Sequence, residues 1–162
     1  QRGTDVDDLA QSSARMINDA LAAKPADMTI TTHVCRGNFR STWITWGGYE
    51  PVAEVVFAAC NYDGYFLEYD SDRAGGFEPL RFVPKGRKQI VLGLITTKTG
   101  ALERRDDLTR RISEAQTYVA LEQLCLSPQC GFASTEEGNI LSEDEQWAKL
   151  NLAVEVADEV WR

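Results

Sequence analysis

The sequence predicts an α/β protein built on a parallel sheet, and three observations carry that prediction. Short β-branched or apolar runs alternate with helical patterns at intervals of roughly 25–35 residues, the spacing of crossover connections. The run Gln89-Ile90-Val91-Leu92-Gly93-Leu94-Ile95-Thr96 is almost uninterrupted in apolar character, as in a strand buried on both faces. Residues suited to chemistry fall at or just past the C-terminal ends of predicted strands, the edge where parallel sheets gather their sites.

The elements follow in order. Residues 5–23 predict an amphipathic helix, with Val6, Leu9, Met16, Ile17, Ala20 and Leu21 at spacings of three and four and only Ser13 breaking the face. Pro25 stops it. Residues 28–34 are short, β-branched and bounded by turn formers, hence a strand. After Gly47-Gly48, Pro51 opens a helix to about residue 60, with Val52, Val55, Val56 and Ala59 inward. Residues 65–69 are the second strand, and 71–88 a polar loop with two prolines and room for a short helix near 77–82. Residues 89–96 are the third strand. Asp106 or Asp107 caps a helix carrying Leu108, Ile112, Ala115 and Val119, and 123–126 form the fourth strand. Ser142-Glu143-Asp144-Glu145 is a capping box, with Trp147, Leu150, Val154, Ala157 and Trp161 on one face of the last helix. A closed eight-stranded barrel needs roughly 250 residues. Two architectures therefore remain: a small doubly wound domain, or half of a barrel whose other half lies upstream.

Composition narrows the function. The chain has 162 residues, 43% hydrophobic and 26% charged, which is a globular mix. Acidic groups outnumber basic ones 25 to 17, giving a net charge of −8, which argues against nucleic acid as a partner. No apolar run reaches the roughly 18 residues of a membrane span. The chain opens on Gln1 without a signal-peptide pattern, so a piece of a longer protein or a processed chain is expected. Four cysteines in a chain this long suggest reduced thiols, a cytoplasmic setting, and metal binding or catalysis ahead of disulfides.

His33, the single histidine, stands two residues before Cys35, so both side chains point to one face of the first strand. Glu68 lies at the end of the second strand and Cys130 just past the fourth. One imidazole, two thiolates and a carboxylate make a plausible ligand set for zinc. Taken singly, the His33–Cys35 pair and Cys130 read as core packing, whereas Glu68 is costly to bury unless it is paired or metal-bound, or else faces solvent. Cys60 and Cys125 sit on apolar faces and are expected in the core. Arg81, Lys85, Arg87 and Lys88 form a basic cluster, expected to be a solvated loop. Trp43 and Trp46 suit either packing or a pocket wall. Asp70 and Asp72 suit turn capping, with a histidine-orienting acceptor as the sharper reading.

Three of these stretches together resemble the cobalamin-independent methionine synthases. Thr32-His33-Val34-Cys35 with Asn38-Phe39 is similar to that family's histidine–cysteine zinc motif. Tyr65-Phe66-Leu67-Glu68 is similar to the strand carrying its glutamate ligand, and Ser127-Pro128-Gln129-Cys130-Gly131 to the motif supplying the last cysteine. The resemblance runs from about residue 28 to the C-terminus. It implies that residues 1–162 are a single fragment, the C-terminal half of a (βα)8 TIM-type barrel with four parallel strands and flanking helices. It further implies a Zn2+ site of His33, Cys35, Glu68 and Cys130. The implied activity is methyl transfer from 5-methyltetrahydrofolate or a related donor to homocysteine or another small thiol, as in methionine biosynthesis. The long members carry a histidine on the strand before the last, where this chain has Thr96. That role is absent here, or falls to Lys98, Asp70 or water. The stretch Cys35-Arg36-Gly37-Asn38-Phe39-Arg40 looks closer to the short single-barrel members, and Asn38, Trp43 and Trp46 are candidate substrate contacts. Related barrels imply an alternative reaction, zinc-dependent alkyl transfer to another thiol or metal-free porphyrin decarboxylation, and a separate alternative is a non-catalytic zinc-stabilised fragment. A half-barrel leaves edge strands, so its partner is expected to be the N-terminal half or a self-associated copy. The isolated fragment is expected to be inactive.

Overall fold

A computed structural model describes residues 5–162. One sheet of four parallel strands holds the molecule: β1 (Thr31–Val34), β4 (Gly64–Glu68), β5 (Gln89–Ile95) and β6 (Leu124–Pro128), in that spatial order. Between β1 and β4 the chain forms a two-stranded hairpin of β2 (Asn38–Phe39) and β3 (Thr42–Trp43). Helices α1 (Val6–Leu21), α2 (Arg105–Ala115) and α3 (Glu143–Trp161) flank the sheet. The predicted α/β class with four parallel strands is what the chain adopts.

The register explains which residues share a face. His33 pairs with Phe66, Phe66 with Val91, and Val91 with Cys125. One residue-pair further along, Glu68 pairs with Gly93 and Gly93 with Ser127. Side chains alternate along each strand, so His33, Phe66, Glu68 and Cys125 look to one side of the sheet. Tyr65 and Leu67 look to the other, where they are buried with Tyr49, Phe57, Leu80, Leu92, Ile112 and Val156. Hydrophobic burial is thus concentrated between the sheet and its helices, the layer that drives folding. Gly93 is required where it stands, because a Cβ there would lie 2.8 Å from the Leu67 carbonyl oxygen.

Several predicted details are corrected. Residues 51–60 do not form an α-helix. A 3-10 turn at Glu50–Val52 runs into a π-helical turn at Glu54–Ala59, which buries Ala53 and Phe57 and leaves Ala59 exposed. The inward positions Ala53, Phe57 and Cys60 lie one residue on from the predicted Val52, Val56 and Ala59. The first strand starts at Thr31, not at residue 28. Neither Asp106 nor Asp107 caps α2. Arg104 holds that position without a side-chain bond, and the two aspartates sit in the first turn, where they suit the helix dipole. The inward face of α3 is Lys149, Leu152 and Val156, whereas Trp147 and Val154 are 53% and 60% exposed. On α1 only Ala14 is buried, and Val6, Leu9 and Met16 stand exposed. Cys125 is half-exposed on the His33 side of the sheet, not in the core. Lys88 is no solvated rim residue, since its buried ammonium donates to the carbonyls of Phe57 and Cys60 at the end of the π-helical turn.

Candidate metal centre

Three donors meet at the C-terminal edge of the sheet. The Cys35 and Cys130 sulfurs are 3.2 Å apart, and Cys130 Sγ lies 3.5 Å from His33 Nε2. All three candidate ligand atoms lie within 4.8 Å of one another. Strand β1 and its first continuing residues bring His33 and Cys35 to one face. Cys130 comes from the turn after β6, where it adopts a left-handed φ of 51° followed by Gly131 at 82°. An L-residue held there is uncommon outside turns and sites.

The hydrogen bonds around the donors fix their state. His33 Nδ1 is 3.1 Å from the Phe66 carbonyl oxygen, which can only accept. That contact suits a proton on Nδ1, the tautomer of the neutral ring in which the Nε2 lone pair faces the sulfurs. The Gly37 backbone N–H donates to Cys35 Sγ at 3.2 Å. Burial, the hydrogen bond with Cys35 and that neighbour's charge push the Cys130 thiol up to about 12. Two thiols this close resist losing both protons unless a cation stands between them. An imidazole and two thiols that together favour a cation fit zinc, which prefers nitrogen and sulfur donors.

Glu68 lies beside this cluster rather than in it. Its Oε2 accepts the Arg36 backbone N–H at 2.8 Å, and its Oε1 accepts from the Arg73 guanidinium. Lys98 Nζ is 3.8 Å from Glu68 and 3.4 Å from Asp70. Lys98 also donates to the Gln129 side chain, directly before Cys130. Trp43 stands close to two cations, with Arg73 and Lys98 5.4 Å and 5.7 Å from its ring centre. Its indole is half-exposed at 44%.

The other candidates are placed as follows. Asn38 is buried and its Oδ1 accepts from Ser41 N, bracing the hairpin turn, while its Nδ2 has no partner among the described residues. Trp46 is 84% exposed. The Thr96 backbone N–H donates to Glu103, and its hydroxyl accepts from Lys98 N. A cavity of about 230 Å³ opens beside the donors, lined by His33, Phe66, Ser127, Gln129 and Cys130 among others. Sequence reasoning missed Arg36, Arg73 and Gln129. The first and last adjoin cysteines already singled out, so their neighbourhood was a usable signal. Arg73 had none, because its reach to Glu68 depends on the loop after β4.

A parallel sheet with sulfur and nitrogen donors at its C-terminal edge defines an α/β protein of TIM-barrel type with a candidate metal centre. The chain belongs to the cobalamin-independent synthase catalytic-domain family, whose model matches residues 8–159. It is 60% identical over 160 residues to YxjG of Bacillus subtilis and 59% identical to YxjH of the same organism, both named as uncharacterized. The chain spans 42% of the length of each. Among solved structures it resembles a proposed vitamin B12-independent methionine synthase from Listeria monocytogenes, with 42% identity and a TM-score of 0.76. That match covers 100% of this chain and 44% of the Listeria protein. A B12-independent methionine synthase from Shewanella sp. W3-18-1, solved with selenomethionine, shares the fold with a TM-score of 0.72 at 20% identity, over 95% of this chain and 44% of its own. No described helix is long and apolar enough to cross a membrane.

Proposed function

We propose that this chain is the C-terminal, metal-holding half of a cytoplasmic barrel enzyme that methylates a thiol, converting homocysteine to methionine. The proposed methyl donor is 5-methyltetrahydrofolate or a related compound. The observation that carries the reading is the meeting of His33 Nε2, Cys35 Sγ and Cys130 Sγ within 4.8 Å at the sheet edge where such barrels work. Family membership supports the reaction class. Zn2+ is the proposed cofactor, held by His33, Cys35 and Cys130 with Glu68 as the fourth ligand. Once bound, zinc lowers the pKa of a substrate thiol and keeps it a thiolate near neutral pH.

The chain's own residues account for the rest. Phe66 orients the His33 ring through Nδ1–H, and the Gly37 N–H steadies the Cys35 sulfur. Trp43, with its half-exposed indole, is proposed as a wall for the substrate, with Asn38 and Trp46 as further contacts. In the transfer, a sulfur–carbon bond forms as the donor's nitrogen–carbon bond breaks, and the departing nitrogen keeps the electron pair and needs a proton. The Lys98–Asp70 pair, 3.4 Å apart beside Thr96, is the proposed route for that proton. The outer edges of β1 and β6 pair with no other strand among the described residues. The proposed partner there is the N-terminal half of the barrel or a second copy.

The test measures zinc per chain in the full protein purified without added metal, together with methylation of homocysteine. One zinc is expected in the parent, with a clear loss of metal and of activity in Cys35→Ser and Cys130→Ser. Equal metal content and equal methylation in parent and variants would overturn the assignment.

A further inference from the structure

We propose that Arg73 is a positioning residue that holds the Glu68 carboxylate off the His33–Cys35–Cys130 cluster and so makes Glu68 an exchangeable ligand. The proposal rests on the metal-site reading above and concerns a residue that the sequence patterns did not mark. Glu68 is fully buried, and a buried carboxylate needs partners for its charge. It has them within the chain. Oε1 takes the Arg73 guanidinium, Oε2 takes the Arg36 N–H, and the Lys98 ammonium stands 3.8 Å away. The carboxylate is thus satisfied in place while its oxygens stay outside the group of three donors.

Arg73 is anchored independently of Glu68. It sits in a short turn, Asp72–Ala74, after β4. Its Nε donates to Ser71 Oγ at 3.2 Å, its Nη1 to the Thr45 carbonyl, and its own carbonyl accepts from Gly47 N at 3.1 Å. The guanidinium also packs over Trp43. Asp70 lies 3.7 Å from Arg73 and 3.4 Å from Lys98. When Glu68 turns toward the cluster, Arg73 therefore keeps a carboxylate partner and does not become an unpaired buried charge. Arg73 and Lys98, shared between Glu68 and Asp70, compete with a metal for the Glu68 carboxylate. A ligand so contested gives way when a thiolate enters, which is the open position that a catalytic zinc site needs. Without Arg73, only the Arg36 N–H and a lysine 3.8 Å away would compete with the metal for Glu68.

The experiment is a double-mutant cycle on zinc affinity in the full protein, read by competition with a chelator. Arg73→Met is expected to tighten zinc binding roughly tenfold, and to change it less than about twofold once Glu68→Gln is also present. X-ray absorption is expected to show 2-mercaptoethanol replacing an oxygen by a sulfur around zinc in the parent, and to show that oxygen retained in Arg73→Met. An equal gain in both backgrounds would mean that Arg73 acts only as a distant positive charge, and would overturn the proposal, as would unchanged or weakened affinity. If Arg73→Met does not fold, Arg73→Lys is read in its place, with a smaller gain in the same direction. A parent that binds no zinc overturns the metal-site reading and this proposal together, whereas a zinc-binding parent with no Arg73 effect overturns this proposal alone.

Discussion

Lys98 shows how much the site depends on single charges. Its side chain is 0% exposed, and its ammonium lies between Asp70 and Glu68, both with side chains 1% exposed, while also bonding Gln129. Removing one member of a buried charge network leaves the others uncompensated, which costs about 3–5 kcal/mol. Lys98→Met is therefore expected to lower unfolding stability by roughly that amount in urea titration. Adding Asp70→Asn is expected to restore part of it, because one orphaned carboxylate is then neutral. A loss below about 1 kcal/mol would place the network in a solvated setting, where ion pairs contribute little. At this scale the sequence was legible wherever a residue type is chemically scarce. One histidine two residues from a cysteine, and a cysteine after a proline in a strand-end turn, were enough to name three residues that meet in space. Arg73 was not legible, because arginine is common and only the loop after β4 brings it to Glu68.

Elements were legible where the signal is local. Ser142 and Glu145 exchange both bonds of a capping box, with Glu145 N donating to Ser142 Oγ at 3.3 Å and Ser142 N donating to Glu145 Oε2 at 2.8 Å. Both donors are helix-end N–H groups that otherwise lack partners. Ser142→Ala is expected to cost about 1 kcal/mol, with Ser142→Asp close to neutral, as measured by thermal or urea unfolding. The α3 face was misread because an apolar count favours Trp147 and Val154, while the helix turns a lysine inward. Lys149 is fully buried because its ammonium finds the Ala101 carbonyl at 2.6 Å and Glu103 at 3.0 Å. Glu103 in turn accepts the Thr96 N–H, so this helix braces the loop that carries Lys98. Hairpin β2–β3 left little trace in the sequence. Its two-residue turn places Arg40 and Ser41 at φ of 47° and 66°, positions where a glycine or asparagine would have announced the turn. Those positions persist because tertiary contacts hold them, among them the Ile140 N–H donating to Ser41 Oγ.

For the whole molecule, the residues alone left two architectures open and the family resemblance chose between them; the four parallel strands were legible because strand and helical patterns alternate as crossover connections require. What lies beyond the sheet's two edges was not. Strands β1 and β6 each pair on one side only among the described residues. The sheet face that carries the donors leaves Phe66 40% exposed, and Val6, Leu9 and Met16 of α1 are 57–67% exposed. Unpaired backbone groups along a strand invite another strand, and contiguous apolar surface invites cover. The chain as expressed alone is therefore expected to associate, with a sedimentation mass above its own 18.1 kDa that rises with concentration. Phe66→Lys is expected to shift that equilibrium toward monomer, because a desolvated lysine on the shared face opposes closure. Thr31 on the β1 edge offers a second handle: Ile30 O accepts from Asp63 N, so the alternating backbone turns the Thr31 N–H outward, and a proline there removes an edge donor. A compact, concentration-independent monomer of 18.1 kDa would show that the exposed edges are tolerated in water. If instead the mass falls with Phe66→Lys while zinc content is unchanged, the metal centre forms from this half alone and the edges serve assembly. If zinc is lost along with association, the donors at the ends of β1 and β6 depend on the covering strands to stay within reach of one another.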